Sequence, residues 1–221
     1  MSESDSFIDE VNEEVRRERL FRTFRKYGWI AILAVVLIVA GASWNEYRKA
    51  RETAAAQALG DDIMSALQLP GPLVRVDALK ELPVSGDMAG VIALLASAEQ
   101  LAAEEPEAAV ATLEPLAART DLPAAYTDLA AFKMVLIGGD AVSPDLRAQL
   151  LERLATPGAP YRPLALEQQV LDLAAAGDTE AAIAAAQALL QEPQLTQGLL
   201  QRVSQLLLAL GADIGDAAGQ G

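Results

Sequence analysis

The sequence predicts an all-α protein in which a single N-terminal transmembrane helix precedes an α-solenoid of helix hairpins. Three observations lead to this fold class. Alanine, leucine, glutamate and glutamine dominate, and β-branched and aromatic residues are sparse outside one segment, which favours helix over sheet. One run of sixteen residues carries no charge. The remainder alternates apolar positions at helical spacing with proline and glycine breaks, as expected for short packed helices.

The first element, residues 1–26, is expected to be a charged helix on the cytoplasmic side. Ser6 can cap it, and an apolar stripe follows at helical spacing: Phe7, Ile8, Val11 and Val15. Acidic residues come early and basic residues late, in agreement with the helix dipole. The helix either docks onto a membrane partner or acts as a basic collar that orients the chain.

The second element, residues 27–47, is predicted to span a membrane. The run Trp29–Trp44 has no charged residue, and a helix from Tyr27 to Tyr47 is roughly 30 Å long, the thickness of the hydrocarbon layer. Aromatic side chains suit the two bilayer interfaces. The expected interface anchors are therefore Tyr27, Trp29, Trp44 and Tyr47.

The basic residues around this segment predict its orientation. Three of them follow it, at Arg48, Lys49 and Arg51, whereas six precede it: Arg16, Arg17, Arg19, Arg22, Arg25 and Lys26. The positive flank stays in the cytoplasm. The chain is therefore expected in a bacterial inner membrane, with its N-terminus in the cytoplasm and its C-terminal domain in the periplasm.

Two other interpretations of the apolar segment stay open. Ala40–Ala42 resembles the small-residue cleavage site of a signal peptide, although the long acidic N-terminus is unlike a short basic leader. The segment can also be a buried core helix, although such helices rarely carry so long an uncharged run with aromatics at both ends.

The third element, residues 48–210, is predicted to be a helical domain, followed by a disordered tail at residues 211–221. The first helix of the domain should continue the membrane span. The predicted helices are residues 45–68, 73–82, 87–104, 106–119, 123–137, 144–155, 161–176, 178–191 and 196–210.

The clearest helix pair is Leu164–Ala176 followed by Thr179–Gln191. The apolar residues expected to face each other are Leu166, Val170 and Leu173 on the first helix and Ala182, Ile183, Ala186 and Leu189 on the second. Small alanines let two helices approach closely, and a lone hairpin must stack on neighbours to bury both faces.

The turn between these helices resembles that of a tetratricopeptide repeat. The resemblance lies in Gly177, Asp178, Ala182 and Pro193, and a weaker copy, with Ala109 in place of Ala182, begins at Glu104. Ala109 and Ala182 are 73 residues apart, close to two periods of such a repeat. The usual large aromatics are replaced, so the resemblance implies degenerate repeats.

The whole layout resembles the ancillary SecYEG translocon subunit family of the alphaproteobacterial type. The resemblance is carried by the short charged helix, the segment Phe7–Ile30, the single span and the repeat-like domain. It implies a non-enzymatic inner-membrane protein near the Sec translocon and periplasmic chaperones.

Composition excludes several functions. The chain lacks cysteine and histidine, so no disulfide, zinc or haem-attachment site is expected, and no cofactor or metal is predicted. Residues 45–221 carry 11 basic and 24 acidic groups, a charge that repels nucleic acid. The acidic pairs Asp61–Asp62 and Glu104–Glu105 are interpreted as solvated or helix-capping groups. No small-molecule substrate or enzymatic activity is expected, since no phosphate loop or nucleophile motif occurs.

The function expected from the sequence is that of a membrane-tethered scaffold for polypeptide partners, such as a translocon, chaperones or client chains. Four side chains either line a partner groove or belong to the core: Tyr126, Phe132, Tyr161 and Leu166. The alternatives are a structural accessory subunit of another inner-membrane complex, respiratory or photosynthetic, and an enzyme with an unusual acidic site.

Overall fold

A computed structural model describes the backbone of residues 3–193 and 195–212, with side chains given for residues 25, 26, 29, 30 and from 32 onward within those ranges. No strand occurs in this part of the chain, which confirms the all-α prediction. The helices are α1 (Glu3–Leu67), α2 (Pro72–Lys80), α3 (Asp87–Ala102), α4 (Pro106–Ala117), α5 (Ala124–Ile137), α6 (Pro144–Leu154), α7 (Arg162–Ala175), α8 (Thr179–Leu190) and α9 (Gln197–Ala209). A short 3₁₀ turn, Gly139–Ala141, lies between α5 and α6.

The predicted charged helix, apolar segment and first helix of the domain form one continuous helix, α1, of 65 residues. Its length follows from the absence of any proline before Pro70, because proline is the strongest helix breaker. The break comes at Pro70-Gly71-Pro72, where Gly71 has a φ of 91°. The chain divides into two units, Met1–Asp62 and Ile63–Gly221, and the described residues of the first unit belong to α1.

The second unit begins and ends its helices close to the predicted positions, within two residues at each boundary. Local chemistry explains the agreement. Proline occupies the first turn of α2, α4, α6 and α7, where its missing N–H costs no hydrogen bond. Ser143, Asp178 and Thr196 cap α6, α8 and α9 by accepting hydrogen bonds from backbone N–H groups of the first turn.

Consecutive helices from α2 to α9 pack against one another, and α3 also contacts α5. The largest core cluster extends from α4 to the start of α7 and includes Leu113, Met134 and Leu154. A second cluster lies between α7, α8 and α9 and includes all the residues predicted to face each other in that hairpin. A third joins the last turn of α1 to α2 and α3 through Ala66, Leu79 and Ile92.

The helices of the second unit repeat after 72 or 73 residues. α4 and α8 start 73 residues apart, as do α5 and α9; α3 and α7 end 73 residues apart, and α2 and α6 start 72 apart. Interior positions repeat with the same displacement; the buried pairs are Ala109 with Ala182, Leu113 with Ala186, Leu116 with Leu189, Ala130 with Val203, and Met134 with Leu207. The second unit therefore contains two equivalent four-helix repeats, α2–α5 and α6–α9.

The C-terminal tail begins with two residues that close α9. Gly211, with a φ of 82°, and Ala212 donate backbone hydrogen bonds to the carbonyl oxygens of Leu208 and Leu207. This is a left-handed helix end of the type that favours glycine. The rest of the predicted disordered tail, residues 213–221, lies outside the described part of the chain.

Candidate interaction surfaces

The apolar segment of α1 presents its described side chains to the surroundings. Trp29 and Trp44 expose 63% and 72% of their surface, and Ile32 and the aliphatic side chains from Val35 to Val39 are also exposed. Near its C-terminal end, the rings of Trp44 and Tyr47 lie 6.4 Å apart. An uncharged helix with apolar side chains on all sides leaves a large hydrophobic surface that needs another apolar phase or partner to cover it.

The structure gives a partial account of the predicted anchors and flank. Arg51 places its guanidinium 5.8 Å from the centre of the Tyr47 ring, and Arg25 and Lys26 are exposed. The anchor Tyr27 and the flank residues Arg16, Arg17, Arg19 and Arg22 lie outside the described side chains. Over the described residues, no helix is long and apolar enough to cross a membrane. The span and its orientation stay predictions.

The predicted turn motif lies between α7 and α8. Gly177 adopts a φ of 81°, in the left-handed region that favours glycine, and Asp178 accepts a hydrogen bond from the N–H of Ala181 at 3.1 Å. Ala182 is fully buried against the hairpin core, and Pro193 follows the end of α8. Each motif residue therefore has a local structural role at this hairpin.

The turn between α3 and α4 has the same backbone hydrogen bonds, displaced by 73 residues. Glu105 donates its N–H to the Gln100 carbonyl at 2.9 Å, as Asp178 does to Leu173 at 3.0 Å. The left-handed position that Gly177 fills is occupied here by Glu104, with a φ of 61°. The weaker motif copy is thus the same turn with a less suitable residue.

The four predicted groove residues lie in different parts of the domain. Phe132 is buried, and its ring stacks on Tyr161 at 5.7 Å; both belong to the largest core cluster, where burial raises the pKa of the Tyr161 phenol. Leu166 packs on the second cluster, and half-buried Tyr126 lies beside Gly90 of α3. The structure brings together only the Phe132–Tyr161 pair, and it does so inside the core.

Arginine side chains connect successive helices of the second unit, a feature that the sequence analysis did not anticipate. Arg147 of α6 donates hydrogen bonds to both carboxylate oxygens of Asp172 on α7, at 2.9 and 2.8 Å. It also donates to the carbonyl oxygen of Val135 near the end of α5. One planar fork therefore joins three helices, a geometry that lysine cannot reproduce.

The first four-helix repeat has the equivalent arginine. Arg75 of α2 donates to Glu99 on α3 at 2.6 Å and to the Leu69 carbonyl at 3.1 Å. Arg75 and Arg147 are 72 residues apart, and the two acidic partners are 73 apart. The arginine clamp is therefore part of the repeat itself.

Further clamps hold the remaining helices together. Arg153 of α6 donates to Asp128 of α5 at 2.8 Å and to the Ala117 carbonyl at the end of α4 at 2.6 Å. Arg202 of α9 forms a two-oxygen pair with Glu167 of α7, at 2.7 and 2.8 Å, and this hydrogen bond raises the arginine pKa.

Arg162, at the start of α7, pairs in the same way with Glu192 after α8, at 3.0 and 2.7 Å. The hydrogen bond lowers the pKa of the Glu192 carboxyl below its ordinary value of 4.5. Arg119 pairs with Asp121, so all six arginines of the second unit form ion pairs within it. Their partners lie up to 35 residues away in sequence, a separation that no local pattern marks. The available signal was arginine outnumbering lysine six to two.

The acidic pairs set aside in the sequence are exposed in the structure. Asp61 and Asp62 lie on the surface of α1, and Glu104 and Glu105 form the turn before α4. Among the residues described, no group of three or more acidic side chains is arranged to hold a metal ion.

Comparison with known proteins gives no match. No protein-family model fits the chain, and neither the curated proteins nor the solved structures contain a significantly similar one.

Proposed function

We propose that this protein is a membrane-tethered scaffold that binds polypeptide partners through a stack of helix hairpins. In this proposal α1 is anchored in a bacterial inner membrane by residues 27–47, and the acidic helical domain lies in the periplasm. The domain performs no chemistry of its own. It holds partner chains close to the membrane, where tethering raises their effective concentration.

The observation that carries the proposal is the uncharged, exposed segment of α1. Trp29 and Trp44 bracket this segment, and the apolar side chains described between them face outward. At about 25 cal/mol per Å² of apolar surface, leaving such a helix in water is costly, and lipid is the phase that covers all its sides at once. The six basic residues before the segment favour a cytoplasmic N-terminus.

The repeated hairpins support the binding part of the proposal. The two four-helix repeats pack each helix mainly on its sequence neighbours, the arrangement of solenoid proteins that present extended surfaces to polypeptides. The buried Ala109 and Ala182 and the matching turns agree with the resemblance to degenerate tetratricopeptide repeats. The likeness of the layout to the ancillary SecYEG translocon subunit family suggests partners near the Sec translocon and periplasmic chaperones.

Membrane extraction of the full-length chain tests the tether. Expressed in a bacterium, the protein should stay in the membrane pellet after an alkaline carbonate wash. A Val36→Asp/Leu37→Arg variant should move to the soluble fraction, because each charge at the centre of a span costs about 3 kcal/mol. Leu73→Arg, at an exposed leucine of α2, is the matched control and should stay in the pellet. Wild-type protein in the soluble fraction would refute the proposal.

Replacement of the segment distinguishes the scaffold from an accessory subunit of a membrane complex. An unrelated span of the same length should leave partner recovery by crosslinking and mass spectrometry unchanged, because the helical domain makes the contacts. Loss of all partners after the exchange would favour the accessory subunit, which relies on the span itself. Protease added to the periplasmic side should digest the acidic domain; protection of the domain would refute the orientation.

A further inference from the structure

Three exposed leucines recur on alternate helices of the second unit. They are Leu101 on α3, Leu136 on α5 and Leu171 on α7, spaced 35 residues apart, and they are called here the leucine row. The intervening helices α4, α6 and α8 carry no exposed large apolar side chain among their described residues. Exposed leucines that recur in this way on one set of helices, and not on the other, form a face distinct from the rest of the surface.

The helices that carry the leucine row lie side by side. α3 contacts α5 directly, and Phe132 of α5 stacks on Tyr161, the residue immediately before α7. Consecutive helices are joined by loops of three to seven residues, so neighbours run antiparallel and alternate helices run parallel. Leu101 and Leu136 are each one residue from the end of their helix, and Leu171 is four residues from the end of α7. The row therefore runs across the C-terminal halves of three parallel helices.

The C-terminal ends beside this row are electronegative. A helix C-terminus carries partial negative charge, and basic residues normally compensate it, yet the last turns of α3, α5 and α7 contain none. Glu104 and Glu105 follow the end of α3, and Asp140 follows the end of α5. The six arginines of the unit are already paired with carboxylates. Lys133 is the lysine on these three helices, one turn before Leu136.

We propose that the leucine row binds a cationic polypeptide segment with apolar side chains at regular intervals. The inference rests on the proposed scaffold function and names the chemical class of its partner. Packed helix axes lie about 10 Å apart. Seven residues of a helix rise about 10.5 Å. A partner helix with one leucine-like residue in every seven therefore places successive apolar side chains on α3, α5 and α7, and its lysines or arginines beside the uncompensated helix ends.

Charge selects this occupant over two others. Residues 63–212 carry eight basic and 18 acidic groups, so a second copy of the domain and an anionic lipid surface are both repelled. A basic segment is attracted from a distance, and the leucine row then supplies the apolar contact that holds it. Clamped arginines are unavailable to the partner, which leaves acidic side chains and helix ends as the charged groups it meets.

Peptide binding to the full-length chain in nanodiscs tests the inference. The probe is a synthetic 28-residue helix with leucine at every seventh position and lysine as its main polar residue, followed by fluorescence anisotropy. Leu136→Ser and Leu171→Ser should each weaken binding about tenfold, the loss expected for a buried leucine contact. Leu73→Ser removes an equally exposed leucine from α2 and should bind like wild type. Lys133→Glu should strengthen binding about threefold by removing a like charge.

Several outcomes would overturn the inference. Unchanged binding in both row variants, equal losses in Leu73→Ser, or equal binding of a peptide with glutamate in place of lysine would each show that the row does not select a cationic apolar partner. Concentration-dependent dimerisation that Leu136→Ser abolishes would identify a second copy as the occupant instead. Because the leucines are exposed, thermal unfolding should be unaltered. If the row fails but crosslinked partners are still recovered from wild type, the scaffold function survives without it; if no partner is recovered, both fail.

Discussion

At the scale of single residues, arginine has the most specific role in this domain. Each of Arg75, Arg147, Arg153, Arg162 and Arg202 donates at least two hydrogen bonds that cross from one helix to another element. Several of these guanidinium groups also satisfy carbonyl oxygens at the ends of helices, which have no partner within the helix. Pairing the arginines internally leaves the surface of the domain more acidic than its composition alone suggests.

The Arg153 clamp should contribute strongly to stability. Arg153→Met keeps the aliphatic stem but leaves the buried Asp128 carboxylate and the Ala117 carbonyl without this donor. We expect the free energy of unfolding to fall by about 3 kcal/mol, measured by urea denaturation. Arg119→Met is the matched control and should change little, because the exposed Asp121 is only two residues away. Equal effects in the two variants would contradict this role for the clamp.

At the scale of elements, the hairpin turn is the most regular unit. The α3–α4 and α7–α8 turns share their backbone hydrogen bonds and both need a left-handed residue, supplied by Glu104 in one and Gly177 in the other. Open space surrounds the α-carbon of Gly177, so glycine is favoured there by backbone conformation and not by crowding. The first turn therefore stores strain that the second does not.

Exchanging residues between the two turns tests this difference. Glu104→Gly should raise the free energy of unfolding by about 1 kcal/mol, and Gly177→Ala should lower it by a similar amount, because a left-handed conformation costs a residue with a β-carbon about that much. Thermal unfolding measures both. Ala103→Gly, one residue before the turn position and at a φ of −88°, should instead be destabilising. Stabilisation by both glycine variants would show that backbone strain at Glu104 is not the cause.

At the scale of the whole molecule, the second unit has separate core clusters along the stack. The cluster around Leu113 extends from α4 to the start of α7, and the cluster around Leu189 lies in α7–α9. Because each helix packs mainly on its sequence neighbours, stability should be distributed along the chain and not concentrated in one core.

Hydrogen exchange should show this distribution. Leu189→Ala should destabilise the domain by about 3 kcal/mol, and amides of α8 and α9 should lose protection before those of α4 and α5. Leu113→Ala should produce the opposite order, detected by mass spectrometry of exchanged fragments. An equal loss of protection along the whole unit in both variants would instead indicate a single cooperative core.

The limits of sequence-based prediction follow from the range of each interaction. The breaks at Pro70–Pro72 and Gly177–Asp178 depend on the conformations of the residues themselves, so the helix boundaries could be predicted closely. The aromatic residues Phe132 and Tyr161 were open to two interpretations, groove or core, because helical spacing gives a shared face but does not show what covers it. The arginine clamps join residues 24 to 36 apart, and pairing at that range depends on how helices stack.

The sequence by itself determined the all-helical class, the positions of the helix breaks, the hairpin turns and the uncharged segment of α1, because these depend on local backbone preference and apolar patterning. Only the tertiary structure decided which arginine meets which carboxylate, which aromatic residues enter the core, and that Leu101, Leu136 and Leu171 share one face. The physical reason is that these features depend on the packing of whole helices, which brings together side chains far apart in the chain.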